Sequence, residues 1–286
     1  MSKSLTWGTC LDYTVNNRDT WRNGGGRKSA LHYSGLMTEA VGRSFPAIRI
    51  DKGLMSRECV ALEERGMTNA GINRFISAVQ CVLNFCKEDK VITFELDTPF
   101  RRRKEEESTR KFYTKEQVRE MVSIARTQFL RDDLADFIQF QALTGMRLGE
   151  TLNLPAEWVN FSSNLIELQK CKHGKARNIP IHPELLPILE KRCEFTKPKI
   201  KVFGDEWDSP DQLRRAFYNV TRRYMGLGID YTIHSLRHSF GTWCFASNVP
   251  PRDVMEMMGH SNLTTTLIYG KSTNESQQKH LAALSF

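Results

Sequence analysis

The sequence predicts a mainly α-helical protein with a small β-hairpin sheet, divided into two domains. Three observations carry this. Apolar residues recur at helical spacing in both halves of the chain. The stretch from Trp158 to Ile181 reads as two strands about a Lys172-His173-Gly174 turn. A charged segment poor in apolar residues, 97–112, stands as a linker between a first domain, 1–96, and a second, 113–286.

The first domain is expected to be helical. Its clearest element is Thr68 to Lys90, where Ile72, Phe75, Ile76, Val79, Leu83 and Cys86 share one side. Asn73, Arg74, Ser77 and Gln80 occupy the other side, a polar face that either stays in water or meets a polar partner. The linker, DTPFRRRKEEESTRKF, carries Pro99 and dense charge. Beyond it, Thr114-Lys115-Glu116-Gln117 forms a capping box that opens a helix. A second helix runs through Leu134, Phe137, Ile138 and Leu143 and stops near Gly145. Trp158 to Gln169 reads as a strand, and Arg177 to Ile181 returns beside it. Ser209-Pro210-Asp211-Gln212 starts another helix, with proline at the first helical position. That helix carries Arg214, Arg215, Arg222 and Arg223, which either contact phosphate or stay solvated, and Gly226 and Gly228 end it. The remainder reads as short helices.

Composition narrows the class. Hydrophobic residues make up 40% and charged residues 26%, ordinary for a globular protein. The formal charge is +8, and the sequence pI is about 9.1, which favours a polyanionic partner. No stretch approaches the ~20 apolar residues of a membrane helix. The segment MSKSLTWGTCLDY holds no apolar signal core, so export is not expected. The seven cysteines, Cys10, Cys59, Cys81, Cys86, Cys171, Cys193 and Cys244, are odd in number and scattered, with no CxxC pair. A reduced intracellular protein without structural zinc follows.

Three strings in the second domain carry the chemistry: TGMRLGE (144–150), HSLRHSFGTW (234–243) and MMGHSNLTTTLIYG (257–270). Together they supply two arginines, two histidines and a tyrosine. Cleaving a phosphodiester requires an aligned nucleophile and fixed donors for charge on the transition state. It also requires a proton taken from the nucleophile and one given to the leaving oxygen. Arg147, just past the break at Gly145, has the guanidinium fork that matches phosphate oxygens, and Glu150 on the next turn is placed to orient it. His234 and Arg237 lie on one side of a helical turn. His234 and His238 have a zinc-compatible spacing, but no HExxH glutamate and no third ligand accompany them, so no metal or other cofactor is expected. His260 and Tyr269 are nine residues apart. Between these strings, LQKCKHGKARNIPI supplies Lys170, Lys172 and Lys175 about the expected turn.

These strings resemble tyrosine recombinases, the family of phage integrases and Xer-type resolvases. TGMRLGE matches the family's TGxRxxE box, HSLRH its HxLRH box, and MGHSNLTTTLIY its LGHxxxxTTxxYxH segment. GINRFISAVQCVLNFCKED resembles the last helix of the family's core-binding domain. The resemblance implies a two-domain clamp on DNA: a helical core-type DNA-binding domain followed by a catalytic domain. Tyr269 takes the nucleophile's place, Arg147 and Arg237 the phosphate clamps, and His234 and His260 the adjoining donors. Lys172, ahead of Pro180 as in the family's hairpin, takes the proton donor's place. His238 is implied to be a buried structural partner. Asn73, Arg74, Ser77, Gln80, Arg214 and Arg215 become candidate DNA contacts. Lys271 stands where many relatives have histidine, and no separate arm-binding domain is expected ahead of the helical domain.

The activity so implied is site-specific strand exchange through a 3′-phosphotyrosine and a Holliday junction. The partners are double-stranded DNA bearing recombination sites, a homotetramer assembled on it, and accessory DNA-bending or directionality factors. The place is the cytoplasm, at the nucleoid. The tail NESQQKHLAALSF is expected to dock on a neighbouring protomer. Two other activities fit the same residues: relaxation of DNA in the manner of a type IB topoisomerase, and a DNA-binding regulator that has kept the fold.

Overall fold

The structure, a computed structural model, describes residues 5–24, 26–105, 111–169, 176–194, 201–204, 206–207 and 209–270. The chain divides into two compact units at residue 108.

Among its described residues the first unit has five α-helices: α1 (Trp7–Asn17), α2 (Asp19–Arg22), α3 (Arg27–Val41), α4 (Lys52–Glu64) and α5 (Asn69–Glu88). Side-chain caps fix three of their starts. Thr6, Asp51 and Thr68 each accept an N–H of the first turn. The long α5 turns Ile72, Phe75, Ile76, Val79, Leu83 and Cys86 into a core shared with Trp7, Cys10, Met37 and Met55.

Two expectations for this unit are corrected. Asn73 does not lie on a solvated face: it is 2% exposed. Its Oδ1 accepts the N–H of Arg103 at 2.8 Å, and its Nδ2 donates to the Arg103 carbonyl at 2.9 Å. The side-chain amide thus pairs with a backbone as a strand neighbour does. Residues 97–105, expected to open a linker, lie against the unit for the same reason. Phe100 is buried, its N–H is accepted by Gln80 Oε1 at 3.3 Å, and Asp97 accepts the N–H of Lys52 at 2.9 Å. Arg74 and Ser77 stay exposed.

The second unit opens with α6 (Lys115–Thr127), whose capping box joins Thr114 and Gln117, and α7 (Asp132–Thr144). These two pack against each other around Val118, Met121, Leu134, Phe137 and Ile138. The short α8 (Leu148–Thr151) follows. A three-stranded antiparallel sheet comes next, with β1 (Val159–Asn160), β2 (Leu165–Leu168) and β3 (Arg177–Pro180) in that order. The single strand expected over Trp158–Gln169 is therefore two. Asn160 Oδ1 accepts the N–H of Ser163, and Asn164 takes a positive φ, so the chain reverses between them. In the register, Ile166 faces Ile179 and Leu168 faces Arg177, which puts Arg177 on the inward side with Ile179.

Beyond the sheet lie α9 (Leu186–Glu194) and α10 (Pro210–Tyr218), the latter capped by Ser209 and carrying exposed Arg214 and Arg215. A π-helical stretch over Asn219–Tyr224 extends α10 and carries exposed Arg222 and Arg223, and Gly226 ends it with φ +64°. Then come α11 (Ile233–Ala246), α12 (Pro251–Met258) and α13 (Leu263–Leu267). Among the described residues, no helix is long and apolar enough to cross a membrane.

Candidate functional site

Three arginines converge on the C-terminal end of α12. The carbonyl of Met257 accepts from Arg177 Nε at 2.9 Å, that of Met258 from Arg237 Nη2 at 2.6 Å, and that of Gly259 from Arg147 Nη2 at 2.7 Å. A helix end leaves its last carbonyls without helical partners and carries partial negative charge, so cations settle there. The arginines come from three places: β3, the middle of α11, and the turn between α7 and α8.

That turn explains the TGMR string. Gly145 ends α7 with φ +60°, and a Cβ on it would stand 2.4 Å from Phe240 Cδ1. Both conformation and space require glycine. Its carbonyl accepts from Arg237 Nη1, which ties α11 to the turn. Gln141 braces the far side: its Nε2 donates to the Met146 carbonyl, and its Oε1 accepts from Thr151 at 2.8 Å.

Glu150 sits between two of the arginines. Its Oε2 accepts the N–H of Arg147 at 2.9 Å, and its Oε1 accepts from Arg147 Nη1 at 3.0 Å. Arg177 meets it fork to fork, with Nη1 to Oε1 at 3.1 Å and Nη2 to Oε2 at 2.7 Å. Burial alone raises the Glu150 carboxyl. The hydrogen bonds from Arg177 and Arg147, and the charges of both, outweigh it and hold the group below the ordinary carboxylate range. Arg237 is 2% exposed. Burial, reinforced by the charge of Arg147, brings its guanidinium down to about 10, so it remains charged at neutral pH. The Arg147 side chain is 37% exposed.

Tyr269 follows α13 in the same unit and packs with Phe240, Val254 and Met258. Its hydroxyl lies 2.9 Å from His238 Nδ1. His238 meets the ring of His234 edge-on at 4.6 Å, and the His260 ring runs nearly parallel to that of Tyr269 at 6.3 Å. His260 Nδ1 pairs with Thr266 Oγ1 at 2.8 Å, which gives the third threonine of TTT a role in orienting it.

The structure thus brings Arg147, Glu150, Arg237, His234, His260 and Tyr269 together. Lys170, Lys172, Lys175 and the tail from Lys271 onward lie outside the described residues. Two residues carry more than the sequence reading gave them. His238 is the neighbour of the Tyr269 hydroxyl, where the resemblance implied only a buried structural partner. Arg177 was read only as the start of the returning strand. The signal was present: Arg177, Ile179 and Ile181 share one phase of a strand, and an arginine on an apolar phase needs a buried acceptor. Among the described residues, no three His, Cys, Asp or Glu gather as a metal would need.

The arrangement can grip an anion with fixed cations beside a tyrosine hydroxyl paired to an imidazole. Comparison with known proteins agrees on its kind. Residues 111–276 match the phage integrase family. The chain belongs to that family, the tyrosine recombinases. Its relatives include the tyrosine recombinase XerA of Thermococcus onnurineus, 31% identical over 222 residues and 76% of each chain. XerA of Pyrococcus horikoshii is 34% identical over 175 residues, 60% of this chain and 59% of that one. Among solved structures, the Tn1549 transposon integrase in complex with transposon right end DNA superposes with a TM-score of 0.80 at 17% identity, over 98% of this chain and 100% of the other. A lambda integrase dimer bound to a COC′ core site gives 0.73 at 15%, over 94% and 78%. At those identities the likeness establishes the fold. Tyrosine recombinases cleave and rejoin DNA, and this chain is an enzyme of that class.

Proposed function

We propose that this tyrosine recombinase carries out site-specific strand exchange with Tyr269 as nucleophile. The observation that carries the reading is the Tyr269 hydroxyl, 2.9 Å from His238 Nδ1, in the unit where Arg147 and Arg237 are fixed on the consecutive carbonyls of Gly259 and Met258 at the C-terminal end of α12. The Tyr269 oxygen attacks the scissile phosphorus, the bond to the 5′ oxygen breaks, and a 3′-phosphotyrosine and a 5′-hydroxyl result. A free phenol titrates near ~10, so the proton must be drawn off as the bond forms. The imidazoles beside the hydroxyl take it, and Arg147 and Arg237 meet the charge that grows on the phosphate oxygens. Lys172 supplies the proton to the leaving 5′ oxygen. A 5′-hydroxyl from the partner duplex then attacks the phosphotyrosine, and two such rounds pass through a Holliday junction. The linkage conserves the energy of the broken bond, so the exchange requires no nucleotide cofactor.

The DNA is gripped by both units as a clamp, with exposed Arg74, Ser77, Arg214 and Arg215 among its backbone contacts. Four protomers assemble on two duplexes, with accessory proteins bending the DNA or setting direction, at the nucleoid of the host cell. The relatives solved on transposon-end and core-site DNA support this reading.

A nicked suicide duplex bearing the recombination site tests it. The wild-type chain should accumulate a covalent DNA adduct, and Tyr269→Phe should form none. An adduct formed by the phenylalanine variant at the wild-type rate would overturn the assignment. A 5′-bridging phosphorothiolate, whose leaving group needs no proton, should restore cleavage to Lys172→Ala but not to Arg147→Ala. Failure of that rescue would remove Lys172 from the role.

A further inference from the structure

We propose that Arg177 is a positioning residue for strand cleavage: it holds Glu150 so that Arg147 keeps a single aim, and it shapes the turn that delivers His260. This rests on the reading of Arg147 and Tyr269 as cleavage residues.

The Arg177 guanidinium is fully engaged in one plane. Two of its nitrogens take the two oxygens of Glu150, and the third takes the carbonyl of Met257. Its side chain is 6% exposed, so it is not presented to DNA and acts only through its neighbours. One neighbour is Glu150, which Arg177 shares with the backbone and side chain of Arg147. With Arg177 present, the carboxylate is fixed from behind and Arg147 is held from in front. Without it, the carboxylate has one guanidinium left and is free to follow Arg147 or to draw it inward.

The other neighbour is the turn after α12. Gly259 has φ +66°, and a Cβ on it would stand 2.8 Å from Arg177 Cζ and 2.9 Å from Nε. The backbone that enters His260 is therefore folded directly against the face of this guanidinium. One residue on β3 thus bears on both Arg147 and His260, which reach the site from α8 and the turn after α12.

A bare structural ion pair is the competing account. Buried pairs contribute little net stability against apolar replacements, which leaves geometry as the reason to keep this one. Lysine cannot reproduce it, because an ammonium lacks the planar fork. The two accounts differ in what is lost.

The probe is a nicked suicide duplex carrying the site recovered from junctions the protein forms with its own flanking DNA. Adduct formation is followed in a single turnover, beside gel-shift affinity and melting, on the full chain. Arg177→Met, scored per folded molecule, should form adduct roughly 100-fold more slowly, the scale of a misplaced catalytic group. Affinity should stay within about threefold, because many cations share the backbone contacts. Glu150→Gln should lose a comparable amount, and the double variant no more than the worse single, since the two act as one unit. Arg177→Lys should recover part of the rate.

Wild-type cleavage by folded Arg177→Met, losses that multiply in the double variant, or affinity falling in step with rate would each overturn the proposal. Should Arg177→Met not fold, Arg177→Lys carries the test: a tenfold or greater loss at unchanged affinity supports the proposal, and a wild-type rate sinks it. A wild-type chain that forms no Tyr269-dependent adduct would remove this proposal together with the cleavage reading. A normal Tyr269-dependent adduct with undiminished Arg177→Met removes this one alone.

Discussion

Gly241 lies so close beneath Tyr269 that a Cβ on it would stand 2.8 Å from Cδ2 of the tyrosine ring and 2.9 Å from Cε2. The ring rests on the backbone of α11, one turn past Arg237 and three residues past His238. Helix and tyrosine are thus in direct register, and the absence of a side chain on the helix sets the height of the ring.

Gly241→Ala should therefore displace Tyr269. Alanine favours a helix by about 1 kcal/mol over glycine, so the helix itself should not suffer. Single-turnover adduct formation should fall by roughly 10- to 100-fold while gel-shift affinity holds. Unchanged cleavage would mean that the ring finds another seat.

Arg147 and Arg237 should fail differently when replaced by alanine. Both should lose cleavage by roughly a hundredfold or more, the usual cost of one fixed donor at a transition state. Arg147 is 37% exposed, and its loss should leave the melting temperature close to wild type. Arg237 is buried between the carbonyls of Gly145 and Met258. Its removal strands both, at about 1–3 kcal/mol each, and should lower the melting temperature by several degrees. Equal melting of the two variants would contradict the burial seen for Arg237.

Glu150 should give the fold an acid-sensitive increment. Its folded pKa lies below the ordinary value, so the unfolded chain binds protons more readily. The contribution is complete above the unfolded pKa of about 4.3 and is lost as pH falls through the folded value. At pH 7, Glu150→Gln should cost about 3–5 kcal/mol, since it strands buried Arg177. That gap from wild type should narrow as pH falls through the folded value of Glu150, because the pKa-linked part of the loss disappears there. A gap independent of pH would assign the loss to packing.

Gly145→Ala should be among the most damaging single-methyl changes in the chain. It combines a left-handed backbone with a Cβ 2.4 Å from Phe240. Circular dichroism should show a destabilised catalytic unit, and cleavage should fall with it, because the same turn carries Arg147 and holds Arg237. A variant that melts like wild type would show that Phe240 yields freely.

The parts that were legible in sequence are those whose signals are local. Thr114 and Gln117 cap α6 within a single turn, Ser209 and Pro210 open α10, and Gly145 stops α7 through its own backbone. The boxes around Arg147, Arg237 and Tyr269 are likewise short strings. What escaped was set by distant partners. Asn73 looked like one more polar residue on a helix face, but its partner Arg103 is thirty positions on. Arg177 meets Glu150 across twenty-seven residues and Met257 across eighty. The reversal between β1 and β2 was within reach, since Ser162, Ser163 and Asn164 are turn residues, but Leu165, Ile166 and Leu168 resume the apolar run beyond them.

The clasp on the end of α12 has an electrostatic consequence. Three guanidiniums meet one carboxylate there, and the remaining partners are carbonyl oxygens, which are dipoles rather than ions. A helix end offers roughly half a negative charge. Among the described residues, three guanidinium charges face a single carboxylate, Glu150, so a net positive charge is left at this point. Under the proposed function, an incoming phosphodiester would complete the balance instead of competing for it, and its departure after rejoining would restore the same deficit for the next duplex.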